Sequence, residues 1–148
     1  MRLPLEALLR TSDVVSVHVT LTDETRHLLG EPELRLMQSH AYLINTSRGP
    51  VIDETALYHV LREGHIAGAA LDVFEQEPLP LDSPLRALNH VMLTPHIAGH
   101  SQELMASIPP TAVDNILRIL RHEPPVYIKN PDVLSAWRIR LDCLNGQP

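Results

Sequence analysis

Three apolar, strand-like runs, each followed at once by a group of polar residues, are the feature that most constrains the fold of this chain. The runs cover residues 41–44, 68–71 and 90–93, and the polar groups are Asn45–Pro50, Asp72–Pro78 and Thr94–His100. Strands that alternate with helices of about ten residues predict parallel βαβ units with right-handed crossovers. Open α/β sheets place ligand sites at the carboxyl ends of such strands. An Arg, a Glu and a His from three consecutive strand ends are therefore predicted to converge on one small anionic substrate.

The other elements follow from hydrophobic periodicity and capping residues. β-Branched residues predict a buried strand at 14–19, and the later strands are predicted at 41–45, 66–73 and 91–93. Asp53 is a good amino-terminal cap for a helix from Glu54 to Arg62, and Gly64 is expected to end it. Further helices are predicted at 5–10, 32–39 and 101–121.

The carboxyl-terminal quarter carries an internal conflict. Pro109 and Pro110 fall inside the last predicted helix, and an interior proline costs about 3 kcal/mol, so we expect a kink or two separate helices. The tail from Glu123 is rich in proline and is expected to be irregular, with one helical turn near 134–139. We therefore predict a domain over residues 1–122 and a tail over 123–148.

Composition excludes several classes of protein. The 148 residues suffice for one domain, and the net charge of −6 with a single lysine argues against a nucleic-acid partner. No apolar run approaches the ~20 residues of a membrane span. The lone cysteine cannot form an internal disulfide, which favours a cytoplasmic protein. The nine histidines show no spacing typical of metal ligands, so no metal site is predicted.

The three polar groups, in this order and spacing, resemble the carboxyl-terminal part of the D-isomer-specific 2-hydroxyacid dehydrogenases. That family includes phosphoglycerate, hydroxypyruvate/glyoxylate and D-lactate dehydrogenases. The resemblance runs from about Leu5 to Pro131 and includes the segments 12–19 and 21–26. It implies an α/β fold with a partial Rossmann-type, doubly wound parallel sheet that binds NAD or NADP, with NAD favoured.

The resemblance also implies catalytic roles for three residues. Arg48 would hold the substrate carboxylate, a task suited to a planar two-pronged donor. His96 would take the proton from the substrate hydroxyl, or return it in reduction. Glu77 would hydrogen-bond the imidazole and fix its tautomer; Glu75 is the nearby competitor, but the family's Glu directly precedes a Pro, which selects Glu77.

Residues at the same strand ends would hold the cofactor by this resemblance. Asp72 would bind the nicotinamide carboxamide. Backbone groups of residues 18–20, after the first strand, would contact the adenosine part of the cofactor. The complete set of expected cofactor-binding residues is His18, Val19, Thr20, Thr46, Ser47, Asp72, His96 and Gly99.

Two parts of the family pattern do not occur in this sequence. A Gly-x-Gly-x-x-Gly turn, which would receive the pyrophosphate, is absent, and so is the family's substrate domain. In the strand order 3-2-1-4-5-6, we expect missing strands between those at Val14 and Ala41. The sheet would then split into two groups with unpaired edges and uncovered apolar faces.

Two functions remain open. The first is a truncated form of an NAD(P)-dependent oxidoreductase that transfers a hydride between the cofactor and a D-2-hydroxyacid or 2-oxoacid, and that is a homodimer when complete. The alternative is a non-catalytic relative that serves in dimerisation or nucleotide sensing, as dehydrogenase-like co-repressors do, or an inactive gene fragment. The intact Arg48, Glu77 and His96 favour the enzyme.

Overall fold

The computed structural model describes residues 2–144, which form four β-strands, five α-helices and two short 3-10 helices. The strands are β1 (Val14–Val17), β2 (Tyr42–Asn45), β3 (Gly68–Leu71) and β4 (Val91–Leu93). The α-helices are α1 (Leu5–Thr11), α2 (Glu31–Leu34), α3 (Glu54–Arg62), α4 (Gln102–Leu120) and α5 (Val133–Leu144), and the 3-10 helices are Gly49–Val51 and Pro84–Ala87. All four predicted strands exist, although β1, β2 and β3 are shorter than predicted. The helix predicted at 32–39 was too long, because α2 has only four residues.

The four strands form one parallel sheet in the order β1-β2-β3-β4. β1 pairs directly with β2, from Val14 opposite Tyr42 to Val17 opposite Asn45. The predicted gap between these strands was therefore wrong. The error came from assigning the first strand to the other half of the sheet, beyond the point where the strand order reverses. The observed pairing makes this strand the immediate neighbour of β2. The predicted α/β class and parallel arrangement are confirmed.

The two faces of the sheet differ in their burial. Successive strand residues point to opposite faces, and on one face Leu43 and Ala69 are buried in a core that includes residues of α2 and α3. On the other face, Val14, Tyr42 and Met92 are 54%, 52% and 67% exposed. This face of the sheet therefore carries exposed apolar side chains, although the sheet is not split as predicted.

Helix α3 begins and ends as its sequence predicts. The side chain of Asp53 accepts a hydrogen bond from the Ala56 N–H at 2.9 Å, which satisfies one of the free donors of the first turn. Gly64 follows the helix with a φ of +69°, a left-handed conformation that glycine adopts without steric cost. This helix fills the crossover between β2 and β3, so the ends of these strands meet at the same edge of the sheet.

The segment after Gly99 is a separate compact unit. Helix α4 contains Pro109 and Pro110 and is one helix, so the alternative of two helices was wrong. The tail contains the 12-residue helix α5 where a single turn was predicted, which corrects that prediction. The domain boundary at residue 122 stays a prediction, since the contacts divide the chain after Gly99.

Among residues 2–144, none of the helices combines the length and the apolar character that crossing a membrane requires.

Candidate active site

Glu77 and His96 meet at the carboxyl ends of β3 and β4. The Nδ1 atom of His96 lies 2.7 Å from Oε2 of Glu77, and the Phe74 N–H donates to Oε1 of the same carboxylate at 3.0 Å. The hydrogen bond from His96 lowers the pKa of Glu77, burial opposes this effect, and the Phe74 N–H adds to it. The side chains of His96 and Glu77 are 48% and 36% exposed, so a ligand in solution can reach the pair.

Asp72, directly after β3, anchors the turn that carries His96. One of its carboxylate oxygens accepts hydrogen bonds from the Thr94 hydroxyl at 2.5 Å and the Ile97 N–H at 2.9 Å, and the other accepts the Ala98 N–H at 2.9 Å. Asp72 is only 4% exposed. Burial would raise the pKa of this carboxyl, but the three donors and the nearby His96 together hold it below its ordinary value.

His96 has a backbone conformation that matters for the direction of its ring. Its φ is +56°, in the left-handed region that a non-glycine residue occupies at a cost of about 1–3 kcal/mol. The hydrogen bonds of Asp72 to both sides of His96 hold the turn in this conformation. Strain of this kind concentrates at functional sites, where surrounding contacts fix the geometry.

A pocket of about 580 Å³ lies beside the pair. That volume is within the range of small-molecule sites in proteins. Its walls combine apolar and polar side chains, and the complete lining is Phe74, Glu77, Pro78, Leu79, Arg86, Leu93, Thr94, Pro95 and His96. The pocket therefore joins an apolar wall to an imidazole, the side-chain type most often used for general acid–base catalysis.

Arg48 lies on the turn after β2, and the buried Asn45 shapes that turn. The Asn45 Oδ1 accepts the Ser47 N–H at 3.0 Å and the Ser47 hydroxyl at 2.8 Å, while its Nδ2 donates to the Arg48 carbonyl at 3.0 Å. Asn45 is 1% exposed, and sequence reasoning did not name it as a site residue. The available signal was its position at a strand end before a turn, where Asn side chains often bond to backbone two residues on.

The Arg48 side chain is exposed and does not join the His96–Glu77 pair. Its Nη1 donates to the Ser47 carbonyl at 2.6 Å. Within residues 2–144, the structure shows no hydrogen bond from Arg48 to Glu77 or His96, and Arg48 does not line the pocket. The structure thus brings Asp72, Glu77 and His96 together and leaves Arg48 on the adjacent turn.

The other candidate cofactor residues lie at the same end of the sheet. Following β1, the His18 ring bonds to the Ser16 hydroxyl at 2.8 Å, Val19 is 37% exposed, and the Thr20 carbonyl accepts a hydrogen bond from Thr25. Thr46 and Ser47 follow β2, and Gly99 is exposed after the His96 turn. Their roles in cofactor binding stay predictions.

Asp72 has a chemical group that can bind a nicotinamide carboxamide. Its Oδ2 accepts one hydrogen bond in the structure, and a carboxylate oxygen has two acceptor sites, but the residue is only 4% exposed, so this contact stays a prediction. In the part of the chain that the structure describes, no three His, Cys, Asp or Glu side chains are arranged to hold a metal ion.

Comparison with known proteins gives a consistent family. The model of the D-isomer specific 2-hydroxyacid dehydrogenase NAD binding domain matches residues 1–98. A glyoxylate reductase from Korarchaeum cryptofilum (strain OPF8) is 50% identical over 133 residues, which are 90% of this chain and 40% of that protein. The chain spans about 40% of the length of the curated relatives it matches.

Solved structures agree with this result. A crystal structure of a protein from Thermus thermophilus matches with a TM-score of 0.81 and 44% identity, covering 84% of this chain and 40% of that one. A D-isomer specific 2-hydroxyacid dehydrogenase from Xanthobacter autotrophicus Py2, in complex with NADPH and MES, matches with a TM-score of 0.69 and 46% identity. That match covers 82% of this chain and 50% of the other.

Proposed function

The chain belongs to the D-isomer specific 2-hydroxyacid dehydrogenase family, and from this premise we propose that it carries the acid–base centre of an NAD(P)-dependent oxidoreductase. The reaction is the interconversion of a D-2-hydroxyacid and the corresponding 2-oxoacid. The observation that carries the proposal is the 2.7 Å contact between His96 and Glu77 beside a pocket of suitable size.

His96 is the proton carrier in this proposal. An ionised carboxylate only accepts hydrogen bonds, so the ring nitrogen facing Glu77, Nδ1, carries a proton. The lone pair of the neutral ring is then on Nε2, for which the structure shows no hydrogen-bond partner among residues 2–144. In oxidation Nε2 takes the hydroxyl proton of the substrate, and in reduction the imidazolium returns it.

The hydrogen on the hydroxyl-bearing carbon of the substrate is transferred as a hydride, separately from the hydroxyl proton. When bound, the nicotinamide supplies the acceptor or the donor of the hydride. Asp72 holds the turn that aims His96, and it is also the proposed partner of the carboxamide. The further cofactor contacts proposed for this chain are those of His18, Val19, Thr20, Thr46, Ser47 and Gly99.

Arg48 is proposed to bind the substrate carboxylate. Its exposed guanidinium has donors beyond the one bonded to Ser47, and a guanidinium pairs with a carboxylate through two parallel hydrogen bonds. The Arg48 turn and the Glu77 turn are packed together at Gly49 and Phe74. This packing supports a shared substrate site at one edge of the sheet.

The names of the relatives guide the choice of substrate. Several are glyoxylate reductases or glyoxylate/hydroxypyruvate reductases, so we propose a small 2-oxoacid of this class. We also propose a homodimer for the complete protein, and a cytoplasmic location, where a single unpaired cysteine such as Cys143 is stable.

A reconstituted enzyme tests this function. It consists of this chain joined to the part of the Korarchaeum cryptofilum glyoxylate reductase that precedes the matched region. We expect it to oxidise NADH or NADPH in the presence of glyoxylate or hydroxypyruvate. His96→Ala should reduce turnover by on the order of 10²–10⁴-fold, the range usual for loss of a general acid–base.

His40→Ala is the matched control, because His40 also pairs with a carboxylate, that of Asp13 at 2.8 Å, and neither residue lines the pocket. This variant should retain full turnover. A folded reconstituted enzyme that turns over equally well with and without the His96 ring contradicts the proposal. A folded one that binds NADH and reduces no 2-oxoacid supports the non-catalytic alternative instead.

A further inference from the structure

We propose that Glu54 and Glu75 are positioning residues that hold the Glu77 carboxylate against His96. The inference rests on the proposed function for its meaning, because it concerns the acid–base pair of that function. Its evidence is a second cluster of titratable side chains, made of His27, Glu54 and Glu75, which lies outside the pocket.

Glu54 and Glu75 are joined by two reciprocal hydrogen bonds. The Glu54 N–H donates to Oε1 of Glu75 at 3.1 Å, and the Glu75 N–H donates to Oε2 of Glu54 at 3.1 Å. Glu54 is the first residue of α3, so the Glu75 carboxylate also lies at the positive end of that helix. The bonds connect the amino terminus of α3 to the turn between β3 and Glu77.

This arrangement brings two carboxylates close together, which is unfavourable by itself. Burial raises the pKa of Glu54, the hydrogen bond from the Glu75 N–H opposes that effect, and the negative charge of Glu75 adds to it. His27 offsets part of the repulsion, because its Nε2 lies 2.9 Å from Oε1 of Glu75. The two backbone N–H donors hold Glu54 and Glu75 close together despite their like charges. The cluster therefore fixes the turn that contains Glu75 relative to the start of α3.

The cluster fixes the backbone that leads to Glu77. The Glu75 N–H donates to Glu54, and the Phe74 carbonyl packs closely against Gly49, so the Phe74–Glu75 peptide unit is restricted from two sides. The Phe74 N–H is bound by Glu77 itself. Glu77 is 36% exposed, so burial alone does not fix its side chain, and the direction of its carboxylate depends on this turn.

The position of the ring proton of His96 can be measured without substrate or cofactor. It shows whether the hydrogen bond between His96 and Glu77 is present. Which nitrogen of a neutral histidine is protonated is set by the hydrogen bond that the other nitrogen makes or lacks. We would record ring-nitrogen NMR spectra of the ¹⁵N-labelled chain at alkaline pH and assign His96 by its loss in His96→Asn. The wild-type chain should show His96 protonated at Nδ1, and Glu77→Ala should lose that form.

The substitutions in the cluster separate positioning from general stability. Glu75→Ala and Glu54→Ala each remove the acceptor of one reciprocal hydrogen bond, so the Nδ1-protonated form of His96 should be lost in both, as in Glu77→Ala. Glu75→Gln and Glu54→Gln keep an acceptor oxygen and should retain that form. Glu63→Ala, which removes an exposed carboxylate paired with Arg35, is the matched control and should also retain it.

Circular dichroism of each variant establishes that the fold is intact. The proposal is overturned if His96 keeps its Nδ1 proton in folded Glu54→Ala and Glu75→Ala, if Glu63→Ala loses it equally, or if the wild-type chain lacks it. Failure of the proposed enzymatic function would be seen separately, as absent turnover in the reconstituted enzyme with an unchanged His96 signal.

Discussion

Gly49 lies so close to Phe74 that a β-carbon on Gly49 would collide with the Phe74 carbonyl group. This contact packs the turn that carries Arg48 directly against the turn that ends in Glu77. The two turns follow neighbouring strands, and only a residue without a side chain permits their backbones to approach so closely. The geometry of the candidate site therefore depends on one glycine that takes no part in the chemistry.

The first prediction concerns Gly49→Ala. The added methyl group meets backbone atoms of Phe74 and Glu75, which cannot move aside as a flexible side chain can, so the variant should lose about 3 kcal/mol of unfolding free energy, the upper range for overpacking. Chemical denaturation of the chain measures this. Gly99→Ala is the control, because a β-carbon there meets no atom within 4 Å. Equal stability of the two variants would show that the close contact does not exist in solution.

The second prediction concerns Asp72→Asn. Asn keeps one acceptor oxygen but presents an NH₂ group to at least one of the donors Thr94, Ile97 and Ala98, which should cost about 2 kcal/mol of unfolding free energy at neutral pH. The folded-state pKa of Asp72 is lowered, so its ionised form stabilises the fold at neutral pH, and this contribution disappears as the pH falls below about 4 and through the lowered pKa.

Denaturation of Asp72→Asn and wild type at pH 7 and near pH 3 measures that difference. The gap between them should narrow at the lower pH, while Asp82→Asn, at an exposed loop position, should differ little from wild type at either pH. A gap that stays constant with pH would mean that the charge of Asp72 does not stabilise the fold.

The third prediction concerns Glu77→Gln in the reconstituted enzyme. The Glu77 carboxylate accepts the Nδ1 proton of His96, and this hydrogen bond keeps the lone pair of the neutral ring on Nε2. The side-chain amide of Gln can turn its NH₂ group towards Nδ1, so the tautomer is no longer fixed and turnover should fall in both directions. Steady-state kinetics of 2-oxoacid reduction and of the reverse oxidation measure this effect.

Glu75→Gln is the matched control for this measurement, because it keeps the acceptor that holds the turn. If Glu75→Gln lowers turnover and Glu77→Gln leaves it unchanged, the assignment of the carboxylate partner is wrong.

The fourth prediction concerns Arg48. In the reconstituted enzyme, Arg48→Ala should raise KM for the 2-oxoacid because the carboxylate loses its cationic partner, and Arg48→Lys should restore binding only in part because a point charge replaces a two-pronged donor. Steady-state kinetics measure both variants. Arg10→Ala, at an exposed position of α1, should leave KM unchanged. If KM is the same in all three variants, Arg48 does not bind the substrate carboxylate, and its hydrogen bond to the Ser47 carbonyl is the only role that the structure gives it.

The fifth prediction concerns the 148-residue chain by itself. It contains no Gly-x-Gly-x-x-Gly turn to receive a pyrophosphate, so we expect any dissociation constant for NADH to be in the millimolar range or weaker. Isothermal titration calorimetry measures this. A micromolar dissociation constant would show that the segments after β1 and β2 hold the cofactor without that turn.

Local patterns in the sequence determined helix α3, the approximate positions of the four strands and the segments that carry the site. Asp53 and Gly64 bound α3 because capping and left-handed termination are properties of single residues and their immediate neighbours. Apolar runs followed by polar groups located the ends of β2, β3 and β4, since strand burial is readable from a few consecutive side chains. The pairing of His96 with Glu77, inferred from a family resemblance, has a direct hydrogen bond in the structure.

Tertiary structure decided which strands are neighbours and how the turns are held. No local pattern states that β1 pairs with β2, because parallel strands are paired by the packing of the crossovers between them, and the predicted gap in the sheet was wrong for that reason. The three donors on Asp72, the reciprocal bonds of Glu54 and Glu75, and the contact of Gly49 with Phe74 join residues more than 20 positions apart. Such contacts depend on distances of a few tenths of an ångström between backbones, and those distances are set only when the whole sheet is assembled.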